Sequence, residues 1–600
     1  VWERFGSVVD WISLGILYFV LTTVLTTKEK WHHYFFAHTA VASSVALVGI
    51  AQALRLPIVY FDGSRIFSTL GNPAFLGAYL LLSIGIGVYC LRVTHHRMFI
   101  AVSVILQSLA LAYTYTRSVL LGLSVALCMI ACSASWHLLV RKYSLRRTHL
   151  RFAATGVVIS GLAIIGIIAS HPIRSGFDPA RPTEIIDQTV KSRLINFKIA
   201  IEAFQDKPLF GWGTGMYPVV FQKYFDPRLY YGSDDTVFFD RSHNEFLDKA
   251  VETGIVGLLL WLNMLFAPVW LSMKEEKVTW RRTVFVSLIG GYAAYLFFSF
   301  SSIADSMLLM IILAFTGLSD VPITPEAQSS IGRKKSIQIA SICIGLFLLI
   351  VMQLKPIAAN ILVRRGEKAE SLQQAVHFFS TASGLGFSAQ IRAADNLSRN
   401  LKQEPTSEDE IAAYRFLESI LAKLIGRMPY DVRYLSRLVR VERLLSGAFP
   451  YKTEVAYSIA SAAHSLSPRD PQLYHLRGLI QLDRALTAKD DDERALYATS
   501  AIEDFAAAYA LAPHIHETAI LYLIGTGYKG NDFGPLYDYV EKNGHFLRTA
   551  DWRLVLETLD SFGQDDLVDK TIQRMRALPP GTAESIVSGL GLTGYLDLSQ

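Results

Sequence analysis

Apolar blocks of about 20 residues recur along the first 354 positions, and nothing else constrains the fold as strongly. They lie near 11–26, 36–54, 72–91, 98–115, 119–138, 151–170, 250–271, 282–299, 303–319 and 337–354. A helix of that length crosses the hydrocarbon core of a bilayer, where every backbone N–H and C=O must be paired within the segment. Buried helices of a large soluble core are the alternative, but so many blocks separated by short charged turns argue against it. From about 360 onward the apolar residues fall into helical periodicity with polar faces between them. The expected fold class is all-α. A polytopic membrane helical bundle spans 1–354 with a long loop at 171–249, and a soluble α-solenoid follows over 362–600. The first residue is Val1, which predicts an N-terminally truncated set of spans, and no signal peptide is legible.

Basic residues follow every odd-numbered block: Lys28 and Lys30; Arg92 and Arg97; Arg141, Lys142, Arg146 and Arg147; Lys274, Lys277, Arg281 and Arg282; Arg333, Lys334 and Lys335. The positive-inside rule assigns these loops to the cytoplasm. It leaves 55–71, 113–118, 171–249, 299–303 and everything after 354 on the other side. ATP and nucleotide sugars are cytoplasmic, so outward chemistry needs a donor activated beforehand. A polyprenyl-diphosphate-linked glycan holds that energy in its anomeric phosphate bond. The formal net charge of +5 sits largely in the short loops and gives no reason to expect nucleic acid. Cys90, Cys128, Cys132 and Cys343 lie in or beside apolar segments, at spacings of neither a zinc site nor a disulfide framework.

The outward elements carry the notable polar groups. Asp240-Arg-Ser-His243-Asn244-Glu245 is a dense cluster leading straight into an apolar helix. His243 suits a general base toward an acceptor hydroxyl, because imidazole keeps a free ring nitrogen near neutral pH and Asp240 or Glu245 could orient it. Helix capping, or a hydrogen bond to Asp240, is the plainer use. A serine nucleophile at Ser242 lacks a triad, and His243 with Asp240 and Glu245 lacks the second histidine of a recognisable metal motif. Arg117 stands at the outer edge between two spans, where a cation either snorkels or pairs with an anion. Guanidinium forks suit diphosphate oxygens. Arg193 is expected to begin an amphipathic helix with Phe197, Ile201 and Phe204 on one side, and it either joins the clamp or forms a surface salt bridge to Glu202. Arg65, after Asp62-Gly-Ser and before the Asn72-Pro73 helix start, is a further clamp residue. Gly211-Trp-Gly-Thr-Gly215 has no βαβ unit around it, so it is not read as a nucleotide fingerprint. Its glycines permit a tight turn, and Trp212 is an interface anchor or a sugar platform.

Taken in order, the run Arg65 to Tyr79, Thr114-Tyr-Thr-Arg117-Ser118, Ser192-Arg193 through Pro208-Leu-Phe-Gly-Trp-Gly-Thr-Gly215, and Ser242-His-Asn-Glu-Phe-Leu247 through Glu252-Thr-Gly254-Ile-Val-Gly257 resembles the O-antigen ligase and polymerase superfamily. The resemblance covers roughly residues 10–320. It implies a GT-C-like, multi-pass glycosyltransferase of the bacterial cytoplasmic (inner) membrane, with its site on the periplasmic or extracellular side. Members transfer glycans from undecaprenyl diphosphate to lipid A-core, growing polysaccharide or protein, without a nucleotide sugar or other cofactor and usually without a metal. The resemblance carries diphosphate binding to Arg117 and Arg193, and acceptor activation to His243. Arg65, Arg241, Trp212, Asp240 and Asn244 are the accompanying substrate-binding residues. The implied mechanism is inversion, metal-independent, and the acceptor is left open among glycan, glycolipid and protein. Ligase-type transfer is the leading reading and polymerase the next. A transporter, or a membrane scaffold whose repeats do everything, is the reading from outside the class. Two positions depart from the family pattern: Phe197 stands near a place where tryptophan is common, and Ala74 follows Asn72-Pro73 where asparagine is common.

The second half repeats a helix ending three times: Arg427-Met-Pro429-Tyr-Asp431, Ser465-Leu-Ser-Pro468-Arg-Asp470 and Ala510-Leu-Ala-Pro513-His514. The prolines are spaced by 39 and 45 residues, longer than a strict tetratricopeptide unit, while Leu473, Tyr474, Leu476, Gly478 and Leu479 resemble such a helix. The expectation is a degenerate solenoid of tetratricopeptide-like hairpins offering a concave surface to an acceptor or an assembly protein. Asp431 and Asp470 read as solvated turn acids.

Overall fold

The computed structural model describes residues 8–56, 65–143, 182–230, 238–274, 279–317, 354–401, 403–530, 532–544, 547–575 and 582–590. The expected spans at 151–170 and 337–354, Asp62-Gly-Ser64, the start of the long loop at 171–181 and Arg146, Arg147, Lys277, Arg333, Lys334, Lys335 and Cys343 lie outside these residues, save Leu354. All regular structure among the described residues is helical. The chain divides into two compact units. One comprises Val1–Phe221 with Phe239–Thr324, the other Gln222–Phe238 with Pro325–Gln600. Part of the long loop therefore belongs to the second unit, which sequence periodicity gave no reason to expect.

In the first unit the helices are α1 (Val8–Val24), α2 (Lys28–Ala53), α3 (Pro73–Val93), α4 (Arg97–Tyr113), α5 (Arg117–Tyr143), α6 (Pro182–Asp206), α7 (Tyr217–Lys223), α8 (Glu245–Lys274), α9 (Trp280–Leu296) and α10 (Ile303–Thr316). The short α7 runs across the point where the chain passes into the second unit. By length and composition α2, α3 and the Glu245–Ala267 part of α8 can cross a membrane; Asp10–Val24, Arg97–Tyr113, Arg117–Ser133 and Ile303–Thr316 are apolar but shorter. Their outer faces leave Ile16, Phe19, Met98, Ile105, Leu259, Leu260 and Trp270 exposed. Helices apolar on both their inner and outer faces belong in lipid, where the outer side chains meet hydrocarbon.

Local chemistry sets the helix starts. Asn72 caps α3 by accepting the Ala74 N–H at 2.8 Å, with Pro73 at the first helical position. Thr27 caps α2, so Lys28 and Lys30 lie inside that helix rather than in a loop before it. Inside the bundle Trp31, Phe35, Tyr89, Phe285 and Phe315 pack ring against ring. Helices α5 and α9 meet at facing glycines: a Cβ on Gly122 would lie 2.5 Å from the Gly291 carbonyl oxygen, and one on Gly291 2.4 Å from that of Gly122. Small residues let two backbones approach closely where lipid supplies no hydrophobic drive.

In the second unit successive helices pack on one another from Glu408–Arg427 through Val432–Leu445, Lys452–Leu466, Pro471–Thr487 and Asp491–Leu511 to His516–Gly530. Helical structure is already present at 354, and Ala359 and Val363 join the same apolar core as Phe379, Leu417 and Leu421. Gly478 admits the Phe505 ring, which a Cβ there would meet at 2.7 Å. The turn acids depart from expectation. Asp431 and Asp470 are 5 % and 7 % exposed and cap the following helices by accepting the Arg433 and Gln472 N–H groups. Carboxylates that look solvated in sequence are buried here with hydrogen-bond donors against them.

Candidate functional site

The site is built on the start of α8. Asn244 is its cap, with Oδ1 accepting from the N–H groups of Phe246 (2.9 Å) and Leu247 (3.2 Å). The turn before it is fixed from below: Asp248 accepts the Ser242 N–H at 2.7 Å, and the Ser242 hydroxyl donates to the Asn244 carbonyl at 2.8 Å. His243 thereby adopts a left-handed backbone, φ 64°. Such a conformation strains a residue bearing a Cβ and persists only where its surroundings over-determine it. Tyr115, two residues before Arg117, shares it at φ 49°.

The His243 ring stands between Phe239 and Phe300, edge-on to both, at centroid distances of 5.4 and 5.3 Å. Its Nδ1 lies 3.2 Å from the Arg241 carbonyl oxygen. A carbonyl only accepts, so Nδ1 carries the proton and Nε2 keeps its lone pair. Burial, and after it the Arg193 charge, holds the imidazole below its ordinary value of 6.5; the bond to the Arg241 carbonyl and the charge of Asp240 pull weakly the other way. The ring is accordingly neutral at pH 7, with one basic nitrogen.

The arginines come from three other elements. Arg65 is pinned to the turn before α5, donating from Nε to the Thr114 carbonyl (2.9 Å) and from Nη2 to the Thr116 hydroxyl (2.8 Å). Arg117 is the first residue of α5 and is exposed. Arg193 lies in the middle of α6, which starts at Pro182 and not at Arg193 as the sequence suggested. The expected apolar face is also not the buried one. Asn196, Ile199, Ala200 and Ala203 are buried, while Leu194 and Ile201 are 59 % and 47 % exposed. Burial and the Arg117 charge lower the Arg193 pKa, and burial and the Arg193 charge lower that of Arg65. Arg193 thus lies close enough to Arg65, to Arg117 and to the His243 ring for its charge to be felt at each or theirs at it. Neither Arg117 nor Arg193 has an ion-pair partner among the described residues, and the expected Arg193–Glu202 bridge is not formed there. Cations gathered in this way can hold an anion.

The remaining polar residues have structural partners. Arg241 is 8 % exposed; burial opposes its charge, but Glu245, Asp248, Glu252 and Asp240 more than offset that and raise its pKa. Its guanidinium also lies over the Phe300 ring at 5.2 Å. Glu245 turns away from His243, pairing with Lys249 at 3.0 Å and accepting from the Ser301 N–H and hydroxyl, so it does not orient the imidazole. Trp212 donates its indole N–H to the Ala203 carbonyl at 2.8 Å and carries Lys207 over its ring at 4.1 Å.

Sequence reasoning missed Asn196. It is fully buried, donates to the Arg241 carbonyl at 2.8 Å and accepts the Tyr217 hydroxyl at 2.8 Å. It also missed the buried charges Asp248, Lys249 and Glu252, although carboxylates and a lysine in the opening turns of an apolar helix were a visible signal. The Gly211–Gly215 run pairs its backbone with a kink in α8. Trp212 N–H donates to Val251 O, Gly213 N–H to Glu252 O and Ile255 N–H to Pro208 O, at 2.9, 2.9 and 2.8 Å. Gly254 (φ 66°) makes the kink, and a Cβ on it would lie 2.2 Å from the Leu209 carbonyl oxygen.

No curated protein matches the chain. Arg117, Arg193, Trp212 and the Asp240–Asn244 turn fall within residues 102–262 and Arg65 before them, and this segment matches the family model described as O-antigen ligase.

Proposed function

We propose that this protein transfers a glycan from an undecaprenyl-diphosphate-linked donor to an acceptor hydroxyl, as an O-antigen ligase-type enzyme of the bacterial inner membrane. In this reading the chain is multi-pass, and the site, the long loop and the repeat unit face the periplasm. The observation that carries it is the pairing of a neutral His243, with a free Nε2, and a set of arginines that lack carboxylate partners among the described residues. The family match supports a lipid-linked glycan transferase in general.

The acceptor O–H proton passes to Nε2 of His243 as the oxygen bonds to the anomeric carbon. The bond from that carbon to the diphosphate oxygen breaks, and its electron pair leaves with the undecaprenyl diphosphate. Arg117 and Arg193 receive the growing charge, with Arg65 behind them; fixed cations aimed at a leaving group stabilise the transition state more than the ground state. A single displacement inverts the anomeric configuration. No metal and no cofactor has a step in it. Asp240 tunes His243 through its charge, while Arg241, Asn244 and Trp212 hold the framework. The acceptor is a glycan, a glycolipid or a protein, membrane lipids surround the bundle, and nucleic acid has no role.

The test is transfer by the full chain in membranes, with purified undecaprenyl-diphosphate-glycan, EDTA and each acceptor class in turn. Transfer by the wild type and its loss in His243→Ala, with helix content intact, is the expected result. Equal transfer by both removes His243 from the chemistry. The acceptor that becomes labelled separates ligase, polymerase and protein transfer.

A further inference from the structure

The helix that runs from Leu354 through Glu367 in the second unit has two opposed faces. Ala359, Val363 and Gly366 are buried on one face, in the core that includes Phe379; a Cβ on Gly366 would meet the Phe379 ring at 2.6 Å. At 3.6 residues per turn the opposite face carries Leu354, Ile357 and Ile361, then Arg364, Arg365 and, just past the helix end, Lys368. The three apolar side chains are 58, 53 and 51 % exposed, and the three cations are exposed as well. Each half of this stripe is about 10 Å long at the helical rise. Glu367, the acid of this stretch, is taken by Arg392 at 3.0 Å, whereas Arg364, Arg365 and Lys368 have no ion-pair partner among the described residues. Together with Ile361, Phe378 and one carboxylate, Glu370, they line a surface groove of about 640 Å³.

Three large apolar side chains in register with three cations match a partner that is apolar at one end and anionic at the other. The apolar block 337–354 ends where this helix begins, so the partner within reach is the bilayer which that block is expected to cross. We propose that this face binds the membrane surface. Leu354, Ile357 and Ile361 lie among the acyl chains just beneath the headgroups, and Arg364, Arg365 and Lys368 hold the phosphate of an anionic phospholipid in the groove beside them. Guanidinium forks and an ammonium group match phosphate oxygens, and three cations against Glu370 leave the groove an excess of positive charge. Ile361 and Phe378 give it an apolar wall for the lipid's glycerol end. Each cation close to an anionic surface adds about fivefold in affinity. The inference rests on the reading of the chain as membrane-spanning and not on the glycan chemistry.

The experiment is hydroxyl-radical footprinting, read by mass spectrometry on the full chain at one copy per nanodisc. The discs are of pure phosphatidylcholine or of an equimolar mixture with phosphatidylglycerol. Each side chain's oxidation is scaled to its rate in the unfolded chain, and Leu486, 77 % exposed on the Pro471–Thr487 helix, is the reference for open water. Ile357 and Ile361 should oxidise at least about threefold more slowly than Leu486 in both lipids, and Phe378 should gain about threefold protection when phosphatidylglycerol is present. The triple variant Arg364→Glu, Arg365→Glu, Lys368→Glu should abolish that lipid dependence while helix content and Leu486 stay unchanged. Oxidation of Ile357 and Ile361 at the Leu486 rate would overturn the membrane contact. Protection that is equal in the two lipids and unmoved by charge reversal would overturn the phosphate site. Protection that needs two copies per disc would assign the face to self-association and overturn the proposal. Release of the chain from membranes by alkaline carbonate would instead sink the spanning reading, and phosphatidylglycerol-dependent protection on vesicles would then decide this inference by itself.

Discussion

Asn196 and His243 share one acceptor. The Arg241 carbonyl takes the Asn196 Nδ2–H at 2.8 Å while His243 Nδ1 stands 3.2 Å from it. The loop helix α6 therefore sets the orientation of a carbonyl that in turn fixes the histidine tautomer. Asn196→Asp removes the donor and puts a carboxylate against the carbonyl. We expect kcat to fall by about 10- to 100-fold with the donor KM little changed, because the base loses orientation and not its substrate. Kinetics with purified donor check this.

Arg193→Lys retains a charge but loses the planar fork. Transfer should drop by roughly tenfold or more, and Arg193→Ala should cost further. Arg117→Ala should behave similarly. The double variant should lose less than the product of the two, because in the proposed mechanism both residues act on one anion.

The pH profile follows from the lowered His243 pKa. A base works deprotonated, so transfer should be flat above 6.5 and fall only as the pH drops through a value below it. Removing the Arg193 charge relieves one of the two main causes of that lowering. Arg193→Gln should then shift the acid limb of its residual activity to higher pH. An unmoved limb would mean that His243 is not the titrating group.

Gly254→Ala places a Cβ 2.2 Å from backbone and forces a non-glycine residue to φ 66°. Either effect alone destabilises by about 1–3 kcal/mol, so the variant should unfold well below the wild-type temperature in detergent. Gly215→Ala, with φ 74° but open space around it, should lose only the smaller, conformational part.

In the second unit burial pushes Asp470 up to about 6 from 3.8, with the Tyr230 bond opposing. A carboxyl raised on folding binds its proton more tightly in the native state. Its contribution is thus complete below 3.8 and is lost as the pH rises through about 6. That difference corresponds to roughly 3 kcal/mol. Asp470→Asn should flatten this part of the stability curve between those values, measured by urea unfolding of the full chain.

The apolar helices were legible because a long apolar run is a local signal, and the Asn72-Pro73 start because cap chemistry is local. Arg117, Arg193 and His243 stood out as polar residues at the margins of apolar segments. The facing of α6 was not legible: Phe197, Ile201 and Phe204 form the more apolar stripe, yet the small side chains of Ala200 and Ala203 are what allow close packing. Asn196 was hidden because a polar residue in a helix reads as exposed until its partners are known. Asp470 was hidden for the same reason, its tyrosine lying 240 positions earlier in the chain.

The backbone pairing of Trp212, Gly213 and Ile255 has a mechanical consequence. It splices α6 to the kink of α8, so Arg193 and His243 ride on one lever. Arg117 stands on α5, which that splice does not include. On the proposed function, an opening that admits a donor is therefore expected between Arg117 and Arg193, with Arg193 and His243 moving together.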